Sequence, residues 1–171
     1  MTKTLIRARL LTFLREPLAA NDHSSYAYEE DGAVLVEDGT IRASGRHEDI
    51  APLASGAKVI DHRPHLLLPG FIDAHAHFPQ MQVIASYGAE LLDWLNNYTF
   101  PAESEFADAT HAARIASCFL DEMARHGTTT SAVYCTVHSQ SAEALFAEAH
   151  RRGMCIIAGK VMMNRNAPPA H

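Results

Sequence analysis

The sequence predicts an α/β protein in two parts, a short all-β segment followed by strands that alternate with helices. Three observations carry that expectation. Ala33-Val34-Leu35-Val36-Glu37, Asp38-Gly39 and Thr40-Ile41-Arg42-Ala43-Ser44-Gly45 read as a hairpin closed by a two-residue turn. Beyond Leu66, apolar β-branched runs alternate with stretches of helical periodicity. Gly127 and Gly153 then stand where two helices should stop.

Within the first segment, Thr4 to Leu14 alternates loosely, Asn21 to Ser25 is polar and loop-like, and Glu48 to Leu53 suits one helical turn before Lys58-Val59-Ile60-Asp61. His23, His47, His62 and His65 show no ligand spacing and should be exposed. From Leu66 to His77 the chain reads as one strand. Glu90 to Asn97 is a short helix that clusters Leu91, Leu92, Trp94 and Leu95. A longer helix should start at Asp108 as N-cap and run to about His126, burying Ala112, Ile115, Ala116, Phe119, Leu120 and Met123. Thr128 to Cys135 is the second strand. Ser141 caps a helix through Arg152, and Cys155 to Met163 is the third strand. Strands alternating with helices predict parallel pairing.

Composition narrows the classes of function. A length of 171 residues suits one domain or slightly more, and 47% apolar with 20% charged residues is a globular makeup. The net charge of −6, without a basic cluster, argues against nucleic acid as a partner. No apolar run reaches the roughly 18 residues a membrane span needs. Met1-Thr2-Lys3-Thr4 lacks a signal-peptide core, so a cytoplasmic location is expected. Cys118, Cys135 and Cys155 are odd in number and widely spaced, which reads as reduced and buried. That spacing, and the lack of any His-x-Glu, excludes the zinc site of cytidine-deaminase-type enzymes.

Asp73-Ala74-His75-Ala76-His77 is where chemistry is expected. Residues i and i+2 of a strand share a face, which brings two imidazoles within reach of one cation at about 2.0–2.1 Å. Asp73 should share that face, either as a third ligand or as a carboxylate behind a ligand that orients an imidazole.

The run Leu66-Leu67-Leu68-Pro69-Gly70-Phe71-Ile72-Asp73 with His75 and His77 resembles the first-strand signature of the amidohydrolase superfamily. His77-Phe78-Pro79-Gln80, Leu91 through Glu103 with its Trp94-Leu95-Asn96-Asn97-Tyr98-Thr99-Phe100-Pro101 core, Gly127-Thr128-Thr129-Thr130, and Gly159 through Pro168 further resemble the guanine deaminases of that superfamily, in the branch that includes chlorotriazine hydrolases. The resemblance implies an incomplete metal-dependent-hydrolase (β/α)8 barrel. Residues 66–171 would form its first three strands, and residues 1–65 the N-terminal strands of a small composite β-sandwich. Three strands cannot close a barrel of eight, so the chain is expected to be the N-terminal portion of a longer polypeptide.

The reaction implied is hydrolysis of guanine to xanthine and ammonia in purine catabolism, with one Zn²⁺ per subunit; the donor set would also suit iron. His75 and His77 carry over as metal ligands and Asp73 as the residue behind them. Gln80 carries over as a substrate contact, since an amide both donates and accepts along a purine edge. Trp94 either walls a slot for the flat base or packs its helix against the sheet. Lys160 is left structural, and His138 is at most near the site. His111, His126 and His150 should be solvated. The remaining ligands and the catalytic acid are expected outside residues 1–171, and the family implies a homodimer. The rivals are another deaminase or chlorohydrolase of the superfamily, and a non-catalytic binding subunit.

Overall fold

A computed structural model describes residues 2–88 and 90–163. Residues 164–168 of the expected family string therefore lie outside the described residues. The chain divides into two compact units, Met1–Pro69 and Gly70–His171.

In the first unit, β1 (Lys3–Phe13), β2 (Tyr26–Glu37), β3 (Thr40–Arg46) and β4 (Lys58–Leu67) form one sheet in the order β3-β2-β1-β4. β1 runs antiparallel to β2 and parallel to β4. The Asp38-Gly39 turn is present, with positive φ at both residues (48° and 79°), as a tight hairpin turn demands. A single helical turn, α1 (His47–Ile50), follows β3 and adds Ile50 to a small core of Leu5, Ala33 and Leu35. β2 starts earlier than its apolar run, because residues 26–29 pair with residues 10–13 of β1; Glu30 and Asp31 fall at a register shift, where Asp31 forms an ion pair with Arg7.

The second unit has a parallel sheet in the order β5-β6-β7, made of Phe71–His77, Thr128–Tyr134 and Cys155–Gly159. Between β5 and β6 lie a 3-10 segment (Phe78–Val83), α2 (Leu91–Trp94), a π turn (Leu95–Thr99), α3 (Phe100–Ser104) and α4 (Ala109–Arg125). α5 (Ser139–Arg152) joins β6 to β7. The predicted apolar stripe of α4 is the buried one, from Ala112 to Met123. It packs with Phe78, Phe106, Val133, Cys135, Leu145 and Ala149 into one core. Asp108 caps α4 through its carboxylate and Gly153 ends α5 in the left-handed region, both as expected. No helix among the described residues is long and apolar enough to cross a membrane.

Several local expectations need correction. Leu66 to His77 is not one strand: Leu66 and Leu67 pair with Arg9 and Leu10 in the first sheet, and a new strand starts at Phe71. Pro69 has no N–H to donate to a ladder, and Gly70 lies so close to Thr129 that a Cβ there would meet Thr129 Oγ1 at 2.2 Å. α5 begins two residues before Ser141. The Ser141 hydroxyl instead accepts from Thr136 N at 3.0 Å and donates to His138 O at 2.7 Å. β7 ends at Gly159, where Lys160 turns its ammonium onto Val137 O at 2.8 Å. Cys118 and Cys155 are exposed, on the outer side of α4 and on the end strand, and only Cys135 is buried. His111 is not solvated. Its side chain is 11% exposed and sits among Gln82, Glu105, Arg114 and the edge of Phe106.

One ion-pair group ties α5 to α4. Arg152 reaches Asp121 at 2.6 Å, Glu148 at 2.7 Å and the hydroxyl of Ser117 at 3.0 Å. Arg151 and Arg152, both donating to Glu148, hold its carboxyl down at about 2. A carboxyl depressed in the fold stabilises above its ordinary pKa and loses that contribution as pH falls. We therefore expect the urea midpoint to drop between about pH 4.5 and pH 2 more steeply in the parent than in Arg152→Ala. The crowding at Gly70 gives a second expectation. Gly70→Ala should cost about 1–3 kcal/mol in denaturant unfolding. Pairing it with Thr129→Ala should recover part of the loss.

Candidate functional site

β5 delivers two imidazoles to its C-terminal end. The Nε2 atoms of His75 and His77 stand 3.1 Å apart, with ring centroids at 5.1 Å. Two nitrogens each about 2.05 Å from one tetrahedral ion lie roughly 3.3 Å apart, so this pair fits a single divalent cation. Burial first, and the neighbouring His75 second, lower the pKa of His77 and favour the neutral ring whose lone pair can ligate. Among the described residues no group of three or more His, Cys, Asp or Glu side chains could hold a metal ion.

Asp73 is placed differently from the sequence expectation. Between Asp73 and Ala76 the β5 register advances three residues while β6 advances two, from Ser131 to Val133. The extra residue is a bulge, and it breaks the alternation that was to set Asp73 beside the histidines. Asp73 pairs with Ser131, whereas His77 pairs with Tyr134. The Asp73 carboxylate accepts the main-chain N–H of His75 at 3.0 Å, so it braces the bulged backbone.

Tyr134, which sequence reasoning passed over, completes the group. Its ring stacks on His77 at 4.8 Å and 14°, and lies 5.1 Å from His75. Counting alternate residues along Thr128–Tyr134 from the buried Ser131 and Val133 could have found it, because Tyr134 falls on the other face.

Gln80 sits half-buried in the 3-10 segment behind His77. Its Nε2 lies 3.3 Å from His77 Nδ1 and donates to Glu103 Oε1 at 3.2 Å. Glu103 is the second residue not singled out from sequence, although it ends the Trp94–Glu103 string. Trp94 is half-buried at the end of α2, packed so closely on Gly88 that a Cβ there would meet its own at 2.5 Å. It lines an open cavity of about 590 Å³ together with His77, Gln80, Met81, Ile84 and Phe119, which extends to Glu122 and His126 at the end of α4 and Thr128 at the start of β6. Leu91 and Leu92, expected to cluster with it, are exposed. His138 precedes α5, its carbonyl accepting from Ser141 and its N–H donating to Thr136 Oγ1 at 3.1 Å.

This arrangement can hold a cation on two neutral donors beside a partly apolar hollow with one amide at its rim. Comparison with known proteins places the chain in a family. Guanine deaminase of Escherichia coli K12 is 41% identical over 150 residues, covering 85% of this chain and 33% of that protein. The crystal structure of guanine deaminase from Bradyrhizobium japonicum superposes with a TM-score of 0.93 at 35% identity, over 99% of this chain and 37% of the other. That of C. acetobutylicum guanine deaminase, with guanine bound in its active site, gives 0.77 at 28%, over 99% and 38%. The chain thus spans about a third of the length of the curated relatives it matches. Residues 66–170 match the amidohydrolase family. With its paired histidines on the first strand of a parallel β/α unit, the chain belongs to the amidohydrolase family.

Proposed function

We propose that the chain is the N-terminal part of a guanine deaminase, hydrolysing guanine to xanthine and ammonia with one Zn²⁺ per subunit. The observation that supports this most is the meeting of two Nε2 atoms at 3.1 Å beside a cavity rimmed by Gln80 and Trp94. In this reading the parallel sheet that begins at Phe71 is the start of an eight-stranded β/α barrel, its boundary moved from residue 66 to the second unit, Gly70–His171. The first unit, Met1–Pro69, supplies strands of a composite β-sandwich, and the assembled enzyme is a cytoplasmic homodimer.

A divalent cation in such a site supplies Lewis acidity that brings the pKa of a water molecule down towards 7. His75 and His77 hold it through neutral nitrogens, and Tyr134 shields one face of His77 from solvent. Asp73 fixes the His75 backbone. Gln80 offers amide hydrogen bonds to the purine edge, and Trp94 with Met81 and Ile84 gives the base apolar walls. The other ligands and the acid that protonates the base come from residues beyond these 171. The isolated segment should then bind zinc weakly and turn nothing over.

The test uses the full-length protein. Guanine should yield xanthine and ammonia, whereas adenosine and chlorotriazines should not react. His75→Ala and His77→Ala should each lower zinc affinity at least about 100-fold, the upper end of what outer partners of a metal site contribute. Metal analysis after dialysis reads this directly. Full zinc retention in both variants would remove the site, and tight stoichiometric zinc in the isolated segment would show it complete without further ligands.

A further inference from the structure

Gln80 and Glu103 come from segments 23 residues apart, yet their side chains meet at 3.2 Å. The meeting is built into the core. Phe78 and Phe106 are both fully buried and touch edge to face at 5.2 Å. Gln80 follows the first by two residues and Glu103 precedes the second by three. Each polar partner is therefore held by its own aromatic anchor, and the anchors hold each other. His111 adds a brace, touching the edge of Phe106 and reaching Gln82 at 3.2 Å.

A carboxylate accepts and cannot donate, so it selects the nitrogen end of the Gln80 amide. Gln80 donates through Nε2 to Glu103, and its Oε1 accepts no hydrogen bond among the described residues. Gln80 also lines the cavity. We propose that Glu103 is a positioning residue that fixes the orientation of the Gln80 amide, so that the cavity offers an acceptor, Oε1, and selects a ligand edge bearing an N–H donor. This rests on the purine reading of the cavity; guanine carries such donors at its ring N–H and its amino group. Without Glu103 the amide can turn over, presenting NH2 to an N–H and losing the bond.

The experiment measures guanine KM and kcat for the full-length protein, and guanine Kd by calorimetry after zinc removal by chelation. Glu103→Met keeps the length and removes the acceptor. KM and Kd should rise about tenfold with kcat within about threefold, the size expected for one hydrogen bond to a charged group. Glu103→Gln, which retains an acceptor oxygen, should recover most of the affinity. In a Gln80→Ala background, Glu103→Met should add nothing further. Glu103→Ala carries the same expectation and serves should the Met variant not fold. If Gln80→Ala weakens guanine binding but Glu103→Met and Glu103→Ala leave it unchanged, the positioning role falls while the purine site stands. If Gln80→Ala itself changes neither KM nor Kd, both fall together. Equal losses in Glu103→Gln and Glu103→Met would also overturn the proposal, because an acceptor would then not be what matters.

Discussion

Everything at this site depends on where Phe78 goes. The residue directly after the second histidine is fully buried, in contact with Phe106 and Phe119. A buried phenylalanine contributes on the order of 1.5–3 kcal/mol, and aromatic edge contacts add about 0.5–1.5. His77 is one peptide unit away from that anchor, so its ring cannot swing far without pulling Phe78 from the core. An exposed imidazole at a strand end thus inherits the rigidity of the interior. The same ring sets Gln80 two residues later, which is why a polar rim forms next to the imidazoles.

The bulge in β5 solves a geometric difficulty. A regular strand would carry Asp73, His75 and His77 on one face, crowding a carboxylate beneath the rings. With one extra residue between Asp73 and Ala76, the carboxylate is spent on the His75 amide and the two rings tilt together under Tyr134. Bulges re-aim side chains at functional positions, and this one leaves a backbone N–H that needs an acceptor. Asp73 supplies it.

Much of this was legible in the sequence, and the failures share a cause. The apolar stripe of α4, the Asp38-Gly39 turn and the His75/His77 spacing are local patterns, and each is found where the pattern puts it. The bulge was not legible, because Asp73-Ala74-His75-Ala76-His77 is as good an alternating strand as any. Only its pairing with β6 reveals the extra residue. Leu66-Leu67-Leu68 was read with the wrong sheet because an apolar run does not state its partner. The early start of β2 depends on its pairing with residues 10–13 of β1, and the burial of His111 on Gln82, Glu105 and Phe106, which lie outside α4. Alternation along its strand hinted at Tyr134, but Glu103 became visible only once two distant helical turns were side by side.

The charge of the donor set bears on what else the site needs. In the proposed centre both imidazoles would ligate as neutral groups, and burial of His77 favours its neutral ring. Asp73 is turned to the backbone, and Glu103 reaches the pair only through the Gln80 amide. A divalent ion held here by His75 and His77 alone would keep its whole charge while being partly stripped of water. Burying uncompensated charge is costly, whereas an anionic ligand repays it at short range. The described residues furnish two neutral donors of such a centre, and in the proposed enzyme the charge of the ion would be offset by a further ligand, a carboxylate or a metal-bound hydroxide. Metal affinity and catalysis would then arise together, once the ligand set is complete.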